Sequence, residues 1–207
     1  MNTIKRALGL LIALMLLIGC SETTGPKLGI HYKKLPQTIS DPSLAPVTEV
    51  FSLTCPHCRT MESFIPELET IVGQRFGKLH ITFNQSAQLG AMIYYSAVMQ
   101  LGGPPDQQMM EDLFAAILMP EGTTPSDRKE AIDRAFHRRH ILSPYDFNEM
   151  QQRQLMTLLQ SAEQVSLKAE INAVPSFIIN GQYLLLTSGH QDIASMAETI
   201  AYLLKQP

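Results

Sequence analysis

The residues Cys55-Pro56-His57-Cys58 bring two thiols and an imidazole into four positions. Two residues between cysteines is one helical turn, so both sulfurs face one side, within disulfide reach. The thiolate is the reactive form of cysteine. At a helix start, free N–H groups and the macrodipole favour a negative sulfur, and His57 can add a hydrogen bond or a positive charge. Each effect lowers the pKa of Cys55, and stabilising the reduced form makes the matching disulfide a stronger oxidant. On this reading Cys55 is the exposed attacking sulfur and Cys58 the deeper one that resolves a mixed disulfide. Two other uses of the pair stay open. A structural disulfide would close a very small loop and constrain little of the unfolded chain. A metal site would join the cysteines to a histidine, but structural zinc takes four ligands and no second Cys pair exists.

The motif needs a scaffold on both sides. Val47 to Leu53 reads as a strand before it. After it, Met61, Phe64, Ile65, Leu68, Ile71 and Val72 recur at helical spacing. Pro56 suits the first turn, where no N–H is needed. Glu49 stands in the strand six residues before Cys55. Alternation places it with Val47 and Phe51 among apolar groups, and a buried carboxylate needs a partner or a proton. Near the other end, Val174-Pro175 precedes Ser176 to Ile179, then Asn180-Gly181, then Gln182 to Leu186. Asn-Gly between two apolar runs is a hairpin signal. A proline just before the first strand fits an edge or a cis bond.

The whole chain has 207 residues, 45% hydrophobic and 17% charged, with a net charge of −3. That excludes disorder and a basic nucleic-acid footprint. The third cysteine, Cys20, closes an N-terminal segment with Lys5-Arg6, an apolar run from Ala7 to Ile18, and Gly19. This is a secretory signal, too short to span a bilayer. Leu17-Ile18-Gly19-Cys20 resembles the bacterial lipobox, which implies cleavage before Cys20 and acylation of its thiol. Ser21 to Lys27 reads as a tether. Between Phe83 and about Gln160 the pattern is helical. Starts are expected at Thr124-Pro125-Ser126-Asp127, for a helix running to His140, and at Ser143-Pro144-Tyr145-Asp146. Phe147, Met150, Leu155, Leu158, Ala162 and Val165 form one expected stripe. The methionines here (92, 99, 109, 110, 119, 150 and 156) read mostly as core, and His137 to His140 as a solvated face.

The cysteine motif with Val174-Pro175, about 120 residues later, resembles the thioredoxin superfamily. Glu49 to Cys58, the Val-Pro pair and the helical stretch between them resemble the DsbA family of disulfide oxidases, from about Tyr32 to Leu204. The resemblance implies an α/β thioredoxin-like fold with a helical insertion: a lipoprotein signal peptide at 1–19, lipidated Cys20 and tether at 20–30, thioredoxin-fold parts at 31–84 and 161–207, and the insertion at 85–160. It implies a cis-Pro loop at Val174 and Pro175 that offers backbone groups to an extended peptide. It also implies a buried pair, Glu49 with Lys78, that tunes Cys58. The implied activity is a thiol:disulfide oxidase with catalytic Cys55, Cys58, His57 and Pro56. It needs no cofactor or metal beyond its own disulfide. Its partners would be reduced secreted proteins and a membrane quinone-linked, DsbB-like protein. It would work as a monomer, held through Cys20 on the extracytoplasmic, periplasm-facing side of the inner or outer membrane, without nucleic acid. A reductase or isomerase of the same superfamily, or a copper-binding assembly chaperone, are the competing readings.

Overall fold

A computed structural model describes residues 25–207. Cys20 and the signal segment lie outside the described residues. Five strands form one mixed sheet in the order β1-β5-β4-β2-β3. They are β1 (Tyr32–Lys34), β2 (Val47–Phe51), β3 (Gly77–His80), β4 (Ser176–Ile179) and β5 (Tyr183–Leu185). β2 and β3 are parallel; the other three pairings are antiparallel. β2 is buried along its whole length, as its lack of a polar alternation requires. β4 and β5 join through Asn180 and Gly181, both at positive φ (51° and 61°), the backbone that a two-residue hairpin demands.

Alternating strand residues feed two cores. Phe177, Ile179, Tyr183 and Leu185 face Leu68, Met196, Ile200 and Leu203 on one side. These come from helices α2 (Ile65–Val72) and α7 (Ile193–Leu204). Ile178 and Leu184 face the other side. That side is covered by α3 (Gln85–Leu101), α4 (Gln107–Ile117), α5 (Pro125–His137) and α6 (Glu149–Lys168). The result is the α/β thioredoxin-like fold with a helical insertion.

Several local expectations are corrected. The helix after the cysteines is two helices, α1 (Pro56–Glu62) and α2. Pro66 cannot donate to the carbonyl of Glu62 and crowds it, so the helix breaks at Ser63–Phe64. Phe64 and Ile71 are consequently exposed. Thr124 and Asp127 do form a reciprocal capping box, but α5 stops at His137. Ser143-Pro144 starts a short 3-10 turn only, and Asn148 caps α6. Met150 lies off the buried stripe and is exposed, as are Met92 and Met156, whereas Met109 and Met110 are fully buried. α6 runs across position 160 without a break, so the insertion and the return to the sheet share one helix.

Candidate active site

α1 begins where β2 delivers it. Cys55 is the N-cap residue, in extended conformation, with Pro56 in the first turn. The Cys55 Sγ accepts the backbone N–H of Cys58 at 3.2 Å, where an N-cap oxygen would normally sit. Both cysteines are free thiols; Cys55 is half-buried and Cys58 fully buried. The thiol of Cys58 also hydrogen-bonds the Cys55 sulfur, the largest influence on both groups. Cys55 is pulled down to about 6 by that bond, by the backbone N–H groups of Cys58 and His57 and by the His57 charge, against the opposing effect of burial. Giving up its proton to that bond and losing water push Cys58 far above the ordinary thiol range. One sulfur is therefore a thiolate at neutral pH and the other a thiol. His57 and Pro56 are exposed beside them.

The loop before β4 meets Cys55 from the far end of the sequence. The Val174–Pro175 peptide bond is cis, and the Val174 carbonyl oxygen lies 3.8 Å from Cys55 Sγ. Thr187, in the turn after β5, donates its hydroxyl to the Pro175 carbonyl at 2.9 Å. A backbone carbonyl 119 residues further along the chain is thus held against the Cys55 sulfur.

Beneath the cysteines lies a buried charge cluster. Glu49 and Lys78 are register partners on β2 and β3. Lys78 Nζ donates to Glu49 Oε2 at 2.5 Å and to Glu62 Oε2 at 2.7 Å. Burial raises the pKa of Glu49, against the pull of Lys78. Burial alone would lower that of Lys78, but the two carboxylates more than offset it and the net direction is up. Glu49 Oε1 is buried without a hydrogen-bond partner, a position that suits a neutral carboxyl better than an anion. A cleft of about 530 Å³, lined in part by Lys78, Tyr94, Tyr95 and Leu158, lies on the side of α3 and α6.

Three participants escaped the sequence reading. Glu62 stands one helical turn after Cys58, a spacing that could have paired them. His80, fully buried in β3, accepts the Leu53 N–H through Nε2 at 2.8 Å. Its Nδ1 is 2.7 Å from the Ile81 carbonyl, which assigns the proton there. Burial holds His80 down at about 4, so it stays a neutral acceptor that ties the strand end, two residues before Cys55, to β3. Thr187 had no signal beyond its place after the hairpin.

The comparisons agree with this geometry. A family model described as Thioredoxin matches residues 42–201. DsbA of Pseudomonas aeruginosa (an engineered variant) superposes with a TM-score of 0.67 at 19% identity, covering 87% of this chain and 97% of its own. DsbA of Proteus mirabilis, solved with a non-covalently bound peptide, gives 0.64 at 19% identity, covering 87% and 99%. DsbL of Salmonella enterica serovar Typhimurium gives 0.63 at 18% identity, covering 89% and 100%. No curated protein matches the sequence. The chain belongs to the thioredoxin family and has the fold of the DsbA disulfide oxidoreductases.

Proposed function

We propose that the protein is a thiol:disulfide oxidoreductase that works as an oxidase. The observation that carries this reading is the split between its cysteines: a half-buried Cys55 pulled down to about 6 and a buried Cys58 pushed up. A low-pKa thiol is a good leaving group, and a stabilised reduced state makes the disulfide oxidising.

In the oxidised enzyme a client thiolate attacks Cys55 Sγ. A client–Cys55 disulfide forms, the Cys55–Cys58 bond breaks, and Cys58 leaves with the electron pair and takes up a proton. A second client thiolate then attacks the client sulfur, and Cys55 leaves as thiolate. Two electrons pass from the client dithiol to the enzyme. Glu49, with its raised pKa, is the proton carrier for Cys58, and Lys78 and Glu62 hold it in place. Clients add as an extended strand along Val174 and Pro175, recognised through backbone rather than side chains. The peptide bound to the Proteus mirabilis relative supports a peptide substrate. Reduced enzyme is returned to the disulfide by a membrane quinone-linked partner. Acylated Cys20 holds the protein at the periplasmic face of a membrane.

Trapping tests the reading. Cys58→Ala removes the enzyme disulfide but leaves the Cys55 thiolate to attack client disulfides. The mixed disulfide that results lacks the neighbouring thiol that would resolve it, so many secreted proteins should accumulate bound through Cys55. No trapped client would contradict the redox role, and one or two would mean a dedicated system.

A further inference from the structure

β1 enters the sheet at the same end as the cysteines. β2 ends toward Cys55, and β4 begins there, after Pro175. β5 is antiparallel to β4 and β1 antiparallel to β5, so Tyr32 also lies at that end. Close contacts confirm it. The Leu186 N–H bonds the His31 carbonyl at 2.9 Å. Gly189 sits so near Ile30 that a Cβ on it would be 2.1 Å from the Ile30 oxygen. Gly189 and Thr187 share the turn after β5, and Thr187 holds Pro175. The N-terminal turn is therefore three strand positions from β2, about 14 Å across one end of the sheet.

That turn has the makeup of a lipid contact. Lys27 to His31 is closed by backbone bonds from Ile30 and His31 to the Lys27 carbonyl. Leu28 and Ile30 are 59% and 54% exposed. From Gly25 to Ser40 there are three lysines and no acidic residue, a charge that suits anionic headgroups.

We propose that the Lys27–His31 turn rests on the bilayer surface, so that the anchored protein presents Cys55 toward thiols held at the membrane. The inference rests on the acylated Cys20 of the proposed function. Six residues lie between Cys20 and Lys27, and fully extended the seven residue steps span about 25 Å. Tyr32 pairs with Leu185, four residues beyond Gly181, so the Asn180–Gly181 hairpin lies about 13 Å further along the strands. The tether reaches either end, and it is the exposed Leu28 and Ile30 with the neighbouring lysines that select the turn. Partners served in this pose are membrane-embedded or membrane-attached proteins with thiols close to the headgroups.

The chain contains no tryptophan, which permits a direct test. Full-length lipoprotein carrying Leu28→Trp, or Thr38→Trp beside the far hairpin, is reconstituted into phosphatidylethanolamine–phosphatidylglycerol vesicles with brominated acyl chains. Mass spectrometry establishes the acyl chains on Cys20. Acylated Leu28→Trp should be quenched several-fold more strongly than acylated Thr38→Trp. Equal quenching, or none, in acylated protein would overturn the orientation and leave the anchor standing. A Cys20 without acyl chains would overturn the anchor and this inference with it.

Discussion

Beneath the cysteines three ionisable side chains meet out of water: Glu49, Lys78 and Glu62 are 0%, 7% and 7% exposed. On the helical lobe, the pairs Arg134–Glu130 and Arg153–Glu149 sit four residues apart and at least half exposed. Inside that lobe the packing is apolar, with Met109, Met110, Leu113, Phe114, Ile132 and Phe136 almost wholly buried. The lobe therefore follows the low-cost rule, apolar within and charge outside. The sheet departs from it at one place, within electrostatic reach of Cys58. Buried ion pairs are poor stabilisers, so the cluster is better explained by what it does to the neighbouring thiols.

The comparison breaks most visibly at Lys78. Lys78→Met leaves two buried carboxyl groups without their cation and should cost about 3–5 kcal/mol in urea unfolding. The combined change Glu49→Leu, Lys78→Met and Glu62→Leu should restore most of that stability, yet shift the titration of Cys58. Restored stability with unchanged titration would make the cluster structural only.

His80 gives the next effect. The unfolded chain takes up a proton near pH 6.5, and the folded chain refuses it until about pH 4. Its contribution is thus complete above pH 6.5 and is lost as pH falls toward 4, about 3 kcal/mol in all. Unfolding measured across that window should show the slope, and His80→Gln should flatten it.

The surface pairs mark the small end of the scale. Arg134→Ala or Arg153→Ala should change stability by no more than about 0.5 kcal/mol. A larger loss would erase the contrast between the two regions.

The parts of this design that were legible in the sequence are local in the chain. Cys55 to Cys58 announces its helix start, and Asn180-Gly181 its hairpin. Thr124-Pro125-Ser126-Asp127 announces a cap that forms as expected. Glu49 and Lys78 were paired only through family resemblance, since the register that joins them is set by the packing of two strands. Glu62, His80 and Thr187 stayed hidden because their partners lie far along the chain or on the backbone. The break at Pro66 was legible and was overridden by an apolar periodicity that continues through it. Met150 misled for a similar reason: its spacing fits the stripe, but the helix that would carry the stripe starts at Glu149, and at its first turn Met150 faces water.

The central claim is that the protein favours its dithiol because Cys55 is held as a thiolate. Equilibration of the purified protein with glutathione redox buffers at neutral pH, read by the ratio of reduced to oxidised Cys55–Cys58, tests it most directly. A potential clearly more oxidising than the glutathione couple at neutral pH, by a margin that shrinks as the pH falls toward the Cys55 value of about 6 and stays level below it, is the expected result. A potential at or below the glutathione couple at neutral pH would contradict the account.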